Sequence, residues 1–338
     1  MSERVNMAVI GAGRIGRLHA EHLAHRITGA RLAAISDIRL EAARQCAAAF
    51  GVSKVFQDYR RVLDDPQVQA VVICSSTDTH ASIIAEAAKA GKQIFCEKPI
   101  ALELKQIDDA LRAVADAGVK LQVGFNRRFD PNFRRIWELV REGEIGEPHL
   151  LRIASRDPAP PPIEYIRVSG GIFLDMMIHD FDMARYIVDD EVEQLYAVGG
   201  VRIDPEIGKT GDVDTAVVTL KFSGGCFATI DNSRQAVYGY DQRVEVFGSK
   251  GMVNTENNTP NRTRLSTEAA VREDLPLYFF MERYTESYLN EMSAFIQCIL
   301  EDKDPPVTGV DARAPVVMGK AARLSCELNR PVALSEVS

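Results

Sequence analysis

Residues 5–16 read VNMAVIGAGRIG, an apolar run that breaks into a glycine-rich turn. A second apolar run, Arg31–Ser36, ends at a single acid, Asp37. Strand, glycine turn, helix, strand and acid follow one another in the order of a dinucleotide-binding βαβ unit. The sequence therefore predicts a parallel sheet that binds a dinucleotide beyond the end of its first strand.

Each glycine of this turn has its own predicted task. Gly11 permits the tight turn, Gly13 lets the backbone approach a pyrophosphate, and Gly16 lets the helix lie close on the sheet. The helix N-terminus around Arg14 and Ile15 then presents its free amide groups to the phosphates. A plain turn without a ligand is the alternative, and the order of strand, turn, helix, second strand and acid argues against it.

The acid after the second strand predicts which dinucleotide binds. Asp37 follows Gly16 by about twenty residues, where a carboxylate accepts hydrogen bonds from the adenosine ribose hydroxyls. The same carboxylate repels a 2′-phosphate, so NAD is favoured over NADP. Arg39 leaves an alternative open, because an arginine at this place either serves a 2′-phosphate or lies in solvent on the next helix.

Composition sets the class of protein. A chain of 338 residues suits two domains, and its 46% hydrophobic and 26% charged residues are ordinary for a globular protein. With 40 basic and 48 acidic residues the net charge is −8, and no basic face for nucleic acid or a membrane surface stands out. No apolar stretch approaches the roughly 18 residues of a membrane span, and no signal segment is evident in Met1–Asn6. We therefore expect a cytoplasmic protein.

The cysteines and the N-terminal histidines predict no metal site. The six cysteines are scattered without a Cys-x-x-Cys pair, which indicates reduced, buried thiols. His19, His22 and His25 recur at a spacing of three, but no carboxylate or cysteine clearly completes a ligand set. We expect these histidines to serve the helix surface or its packing.

Residues 1–124 alternate short apolar runs with helical stretches. Strands are predicted at Val5–Ile10, Arg31–Ser36, Ala70–Cys74, Gln93–Cys96 and Lys120–Val123. Helices are predicted at Gly13–Ile27, Leu40–Phe50, His80–Ala90 and Glu103–Ala117. Strands this uniformly apolar are buried on both faces, so this α/β region is predicted to be a Rossmann domain with a doubly wound parallel sheet.

Residues 125–338 follow a different pattern, typical of an α+β domain, and we expect this domain to serve substrate binding and oligomerisation. Helices are predicted at Pro131–Glu142, Gly171–Val188, Tyr284–Leu300 and Ala312–Leu328. Two hairpins are predicted, Val213–Phe222 with Cys226–Ile230 and Arg243–Phe247 with Met252–Thr255. A mainly antiparallel sheet with helices on one face leaves its other face open, and a second subunit is a common cover. We therefore expect a homo-oligomer.

Glu97-Lys98-Pro99 follows a buried strand directly, at the predicted cofactor edge of the sheet. There the Lys98 ammonium could reach a substrate oxygen, the alternative being an ordinary surface lysine. A cis bond before Pro99 would keep the loop rigid. Near the same edge, Ser75 and Thr77 are candidates for the nicotinamide ribose, and His80 is expected to form local structure beside the cofactor.

A second candidate site lies in the predicted helix Gly171–Val188. Asp175, His179 and Asp182 share one stripe at spacings of four and three, which either faces solvent or lines a polar pocket. Oxidation of an alcohol needs a base for the hydroxyl proton while the hydride leaves for the nicotinamide, and histidine titrates near neutral pH. We expect His179 to be that base and Asp175 to orient it, while Lys98 stabilises the charge that develops on oxygen.

Gly11-x-Gly13-x-x-Gly16, Glu97-Lys98-Pro99 and Asp175-x-x-x-His179, in this order, resemble the glucose-fructose oxidoreductase/inositol dehydrogenase/rhizopine catabolism family. The resemblance spans nearly the whole chain. Ser169–Tyr186 and Tyr238-Gly239-Tyr240 are most similar to its bacterial inositol dehydrogenases. The resemblance implies a Rossmann domain, an open-faced sheet domain, commonly a tetramer, and catalytic roles for the lysine, aspartate and histidine.

The same resemblance implies a polyol pocket. Its residues would be Asn126, Arg127, Asp157, Asp182, Tyr238 and Tyr240. A pocket that selects one polyol must offer matching donors and acceptors. The alternatives are a solvated approach to a helix for Arg127 and Arg128, and one face of a strand end for Tyr238 and Tyr240.

The expected activity is NAD-dependent oxidation of a cyclic polyol, myo-inositol to its 2-ketone. Three alternatives stay open: a dehydrogenase of another inositol isomer or sugar, a glycosidase that uses NAD transiently, and a dinucleotide sensor without catalysis.

Overall fold

The computed structural model describes residues 4–337. Met1–Glu3, part of the N-terminal segment considered above, and Ser338 lie outside the described residues. The chain divides into two compact units. The first runs to Phe129 and also contains Glu286–Ala314, and the second contains Asp130–Thr285 and the chain from Pro315. None of the helices between residues 4 and 337 is long and apolar enough to cross a membrane.

The first unit contains a sheet of six strands within the described chain, all parallel, in the order β3-β2-β1-β4-β5-β6. Its strands are β1 (Val5–Ile10), β2 (Ala30–Ser36), β3 (Lys54–Phe56), β4 (Ala70–Ile73), β5 (Gln93–Glu97) and β6 (Leu121–Gly124). Its helices up to Phe129 are α1 (Arg14–Glu21), α2 (Leu40–Phe50), α3 (Arg60–Leu63), α4 (Thr77–Lys89) and α5 (Leu104–Ala117). This strand order is that of a Rossmann sheet, so the predicted fold is confirmed.

The second unit is built on a sheet of seven strands, counted over residues 4–337, in the order β12-β11-β7-β10-β9-β8-β15. The strands of this part of the chain are β7 (Pro148–Arg156), β8 (Val192–Gly200), β9 (Thr215–Phe222), β10 (Phe227–Ser233), β11 (Asp241–Gly248), β12 (Met252–Thr255), β13 (Arg264–Ser266), β14 (Val271–Glu273) and β15 (Val332–Ala333). The remaining helices are α6 (Pro131–Arg141), α7 (Ile163–Ser169), α8 (Gly171–Asp175), α9 (Ile178–Val188), α10 (Pro205–Gly208), α11 (Phe280–Arg283), α12 (Thr285–Leu300) and α13 (Gly309–Leu328).

Both predicted hairpins are present in this sheet. Strand β9 pairs antiparallel with β10, and β11 pairs antiparallel with β12, whereas β10 and β7 are parallel. Along β9 the residues alternate between the two faces, with Val218 and Leu220 buried and Thr219 and Lys221 exposed. The predicted sheet with one covered face is therefore confirmed.

The core of the first unit receives residues from a distant part of the chain. Met292, Phe295 and Ile296 of α12 pack with Val9 and Phe95 in one buried cluster. The sequence places this helix after the domain boundary predicted at residue 124. An apolar helix face does not indicate which sheet it will cover. The sequence pattern alone therefore does not reveal that α12 returns to the first unit.

Two predicted helices are divided. The first is α-helical only to Glu21 and continues as a π-helical turn, His22–Arg26. The predicted helix Gly171–Val188 is interrupted at Met176 and Met177, whose amides both bond the carbonyl of Ile172 at 3.1 and 2.8 Å. Two hydrogen bonds to the same carbonyl oxygen interrupt the regular hydrogen-bond pattern of the helix. Asp175 therefore ends one helix and His179 lies in the next, contrary to the single helix expected.

Candidate functional site

The glycine turn after β1 is shaped by close backbone contacts. Gly11 has φ +100°, and a Cβ there would lie 2.5 Å from the carbonyl oxygen of Cys74. A Cβ on Gly16 would lie 1.8 Å from the Gly11 carbonyl oxygen. Neither position tolerates a side chain, so the turn, the helix and the end of β4 fit only with glycine.

Gly13 differs from the other two glycines, because it is extended and a Cβ there would meet no atom within 4 Å. The fold does not require glycine at this position, but because Gly13 has no side chain, the space over the turn is open. No side chain caps the start of α1 in the described chain, where Arg14 and Ile15 begin the helix. Open space beside uncapped amides fits the pyrophosphate of a dinucleotide.

Asp37 lies directly after β2 and holds the glycine turn. Its Oδ2 accepts a hydrogen bond from the Ala12 amide at 2.7 Å, and its Oδ1 accepts one from the Arg39 amide at 2.8 Å. Each carboxylate oxygen has a second lone pair, so these bonds leave acceptor capacity for ribose hydroxyls. The Arg39 side chain is 77% exposed, which agrees with the solvated alternative for this residue.

The loops after β4 and β5 are joined by His80. This buried side chain places Nδ1 2.8 Å from the carbonyl oxygen of Pro99 and Nε2 3.0 Å from that of Ser75. Thr77 begins the helix that carries His80, and the Lys98–Pro99 bond is cis. His80 thus forms local structure that ties the loop of Lys98 to the end of β4.

Glu97 is hydrogen-bonded to a histidine for which sequence analysis found no partner. His19, fully buried on α1, places its Nε2 2.7 Å from Glu97 Oε1. A ligand atom of Cys74 lies within 4.8 Å of both. The expectation that no carboxylate or cysteine joins the N-terminal histidines was therefore wrong, because β4 and β5 bring both residues beside α1. Burial raises the pKa of the Cys74 thiol well above its usual range, which keeps it protonated.

The turn after β6 carries the first two predicted polyol residues. Asn126 and Arg127 lie in a 3₁₀ turn, Asn126–Phe129, and both are buried. Arg128 is buried as well and pairs with Asp311 at 3.3 Å. The alternative of a solvated helix approach for Arg127 and Arg128 is therefore wrong.

In the second unit, Asp175 is held by two residues that sequence reasoning missed. Its Oδ1 accepts a hydrogen bond from the Tyr165 hydroxyl at 2.8 Å, and its Oδ2 accepts one from Arg234 Nη1 at 3.3 Å. Burial, and then the charge of Asp175, raise the pKa of Tyr165, so the phenol remains a donor. These partners come from α7 and from the loop after β10, and no local spacing in the sequence predicts them.

Asp175 and His179 are both partly exposed within an otherwise buried run, whereas Asp182 is fully buried. Burial of Asp182 excludes the solvent-facing alternative for this residue, and the polar pocket stays a prediction. The break at Met176 and Met177 separates Asp175 from the helix that carries the other two.

The backbone of Asp157 is bonded to the end of β10 and to the loop that leads to Tyr238 and Tyr240. The Asp157 amide donates to Ser233 O at 2.9 Å, and its carbonyl accepts from the Ala236 amide at 2.6 Å. Tyr238 and Tyr240 precede β11, which begins at Asp241, so they flank Gly239 in a turn and do not share a strand face.

The two tyrosines have different surroundings. The Tyr238 hydroxyl donates to Asp241 Oδ2 at 2.5 Å and accepts from Arg156 Nη1 at 3.1 Å, so it belongs to a charged network of the sheet. Tyr240 is buried, and its ring meets the Tyr284 ring edge-on at 5.9 Å.

A Rossmann sheet with an open glycine turn, together with a unit that carries an imidazole and an anchored carboxylate, defines a dinucleotide-dependent oxidoreductase. Comparison with known families agrees. The chain belongs to the GFO/IDH/MocA oxidoreductase family: residues 5–125 match its NAD-binding Rossmann fold and residues 133–254 match its C-terminal domain. NAD is therefore the cofactor, in keeping with the fit of the glycine turn.

The chain is similar to named dehydrogenases over nearly its whole length. It is 52% identical to a myo-inositol 2-dehydrogenase of Thermotoga maritima, covering 98% of this chain and 99% of the relative. It is 44% identical to an inositol 2-dehydrogenase of Rhizobium meliloti, covering 98% and 99%. A crystal structure of scyllo-inositol dehydrogenase from Lactobacillus casei, with bound NAD(H) and scyllo-inositol, matches with a TM-score of 0.92 at 30% identity, covering 98% of this chain and all of that one.

Proposed function

We propose that this chain is an NAD-dependent dehydrogenase that oxidises myo-inositol at one ring hydroxyl to the corresponding ketone. The observation that carries the proposal is the 52% identity, over 98% of the chain, to a myo-inositol 2-dehydrogenase. The order of Lys98, Asp175 and His179 in the sequence supports the same activity.

The proposed reaction divides the two hydrogens of one CH–OH group. Bound NAD supplies an acceptor for the hydride that leaves the carbon. His179 takes the hydroxyl proton, so an imidazolium and a carbon–oxygen double bond form together. Lys98 stabilises the negative charge that develops on the oxygen during this step.

Asp175 orients His179 and stabilises the imidazolium in this proposal. Its own carboxylate is fixed by the Tyr165 hydroxyl and the Arg234 guanidinium, so it can keep one orientation during turnover. A carboxylate already held by two donors needs little reorganisation when charge appears on the imidazole.

We propose that the polyol residues act as a set, and that Tyr238 supports the pocket without binding the polyol directly. Asn126, Arg127, Asp182 and Tyr240 are buried polar groups, the kind of lining that distinguishes one hydroxyl pattern from another. The hydroxyl of Tyr238 is already bonded to Asp241 and Arg156, so we assign it to the framework of the pocket.

A second candidate substrate is scyllo-inositol, or another inositol isomer. The Lactobacillus casei structure that resembles this chain at a TM-score of 0.92 holds scyllo-inositol. The isomers differ in whether a hydroxyl is axial or equatorial, and the same donors and acceptors could bind a hydroxyl in either orientation.

A panel of substrates tests the proposal. Purified protein is assayed for NADH formation with myo-inositol, scyllo-inositol, other inositol isomers and hexoses, and each is repeated with NADP. We expect the highest kcat/KM for myo-inositol with NAD, and a lower value with NADP because Asp37 opposes a 2′-phosphate. A higher kcat/KM for scyllo-inositol would select the second candidate, and turnover of hexoses alone would contradict both.

We also infer a homo-oligomer, with a tetramer as the expected size. On the open face of the large sheet, Met252, Phe247, Leu150 and Phe227 form a row across four neighbouring strands. Each of these side chains is at least 42% exposed. A contiguous apolar row on a sheet face supports burial against a second copy. The mass of the assembly in solution tests this inference.

A cytoplasmic location completes the proposal. All six cysteines are free thiols, which supports a reducing compartment.

A further inference from the structure

Arg234 is the largest side chain that is fully buried in the second unit. Its guanidinium places Nη1 3.3 Å from Asp175 Oδ2 and Nη2 3.6 Å from Asp212 Oδ2. Only 1% of the side chain is exposed, against 13% for Asp175 and 12% for Asp212. One buried cation thus lies between two carboxylates, one of which is the proposed partner of His179.

Stability alone gives a poor account of this arrangement. Arg234 Nε and Nη2 form no hydrogen bond within the described part of the chain, although both atoms are buried. Desolvating a guanidinium is costly, and a buried ion pair with unsatisfied donors seldom repays that cost. Stabilisation of the fold therefore does not explain why a cation is buried at this place.

Asp212 connects the cation to the start of the helix that ends at Asp175. Both of its carboxylate oxygens accept from the Ile172 amide, at 3.0 and 3.1 Å, near the beginning of α8. A Cβ on Gly171 would lie 2.6 Å from Asp212 Oδ1, so the approach of this carboxylate depends on glycine. Helix α8 is therefore fixed at its first turn by Asp212 and at its last residue by Arg234.

Charged or titratable groups contact the Asp175 carboxylate, its two partners or the elements that carry them. Tyr165 faces it from α7 and Arg234 from the loop after β10. Asp157, after β7, is close enough to act on the phenol of Tyr165. Asp212 faces Arg234 from the loop before β9, and on α9 the carboxylate of Asp180 accepts from Asn232 of β10. Arg234 is the only cation among these named groups.

We propose that Arg234 is a positioning residue for the base His179: it holds the Asp175 carboxylate and offsets part of its charge, which limits how strongly Asp175 favours the imidazolium. Asp212 in turn offsets part of the charge of Arg234. The proposal deepens the function argued above and rests on it for the kinetic readout. A nearby charge changes the proton affinity of an imidazole by Coulomb interaction, so Arg234→Met and Asp212→Asn should shift the titration of His179 in opposite directions.

The experiment compares Arg234→Met, Arg234→Lys and Asp212→Asn with the unaltered protein. Loss of the cation in R234M leaves Asp175 with its full charge, which favours the imidazolium of His179 and raises its pKa. The acid limb of the pH profile of kcat/KM should therefore move up by about one pH unit. R234K restores the cation and should return the limb towards its original position. D212N keeps an oxygen to accept from Ile172 and lets Arg234 act more fully on Asp175, so the limb should move down.

Arg185→Met is the matched control. Arg185 lies on α9 with His179, but it bonds Glu191 and not Asp175. Its removal takes one cation from the same helix and should leave the acid limb in place. Should R234M fail to fold, the downward shift expected in D212N still decides the sign of the charge effect.

A second readout does not depend on turnover. The imidazole resonances of His179, assigned by their loss in a His179→Gln variant, are titrated in protein without substrate. Their midpoint should shift upward in R234M and downward in D212N. Lowered stability with unshifted midpoints would reduce Arg234 to a structural residue and overturn the proposal. Shifted midpoints in a protein without inositol turnover would uphold the electrostatic role of Arg234 and overturn the dehydrogenase assignment alone.

Discussion

His179→Ala should lower kcat for the polyol by about 10²–10⁴-fold, the usual contribution of a positioned general base. Without the imidazole, the hydroxyl proton must leave to water while the hydride is transferred, and the transition state loses its proton acceptor. The side chain is partly exposed on α9, so its truncation opens no cavity in the core. Steady-state kinetics with saturating NAD measures the effect.

The affinity for NAD separates loss of the base from loss of the fold. Calorimetry should give nearly the same Kd for NAD in His179→Ala as in the unaltered protein. His25→Ala is the matched control, because His25 is exposed on the first helix of the other unit and should leave kcat unchanged. Turnover of His179→Ala within a few-fold of normal would remove this residue from the role of base.

Lys98→Met should lower kcat/KM for the polyol by about 10²–10³-fold, the range seen when one donor to a developing oxyanion is removed. Methionine keeps much of the length of the side chain and removes the charge. Lys98→Arg should restore little, because a planar guanidinium presents its donors in a different geometry from an ammonium. The measurement is kcat/KM against polyol concentration at saturating NAD.

Lys105→Met provides the comparison for this variant. Lys105 is exposed on α5 and pairs with Asp109 one turn away, so its charge should not matter to turnover. If Lys98→Met raised the Kd for NAD by the same factor by which it lowered kcat/KM, Lys98 would serve cofactor binding and not the oxyanion.

The parallel sheet could be predicted from sequence because its physical requirements are local. A strand buried on both faces must be an unbroken apolar run, and the turn between β1 and α1 must be glycine where backbone atoms approach one another. Gly11 and Gly16 meet that requirement, because a Cβ at either position would lie only 2.5 or 1.8 Å from a backbone oxygen. Such constraints leave a direct mark on the sequence.

The surroundings of the candidate base could not be predicted, because they are assembled from distant segments. Asp175 meets Tyr165 from α7 and Arg234 from the loop after β10, and Asp212 reaches Arg234 from the loop before β9. A buried arginine in a loop has the same local pattern as an exposed one. Only the tertiary fold distinguishes them.

The partners of the N-terminal histidines were hidden for a related reason. His19 on α1 meets Glu97 at the end of β5, because parallel strands separated by long crossovers end at the same edge of the sheet. The sequence locates Glu97 at that edge but does not give the direction of its side chain. The break after Asp175 was equally invisible, since Met176 and Met177 fit a continuous helix by propensity.

Transfer of an isotopic label tests most directly the claim that this chain moves a hydride from a polyol carbon to NAD. Myo-inositol carrying deuterium on the carbon that becomes the ketone is incubated with the protein and NAD, and the NADH formed is analysed by mass spectrometry. The account predicts that each NADH carries one deuterium, and that unlabelled inositol gives none. Deuterium released to water, or a product formed without net NADH, would contradict it.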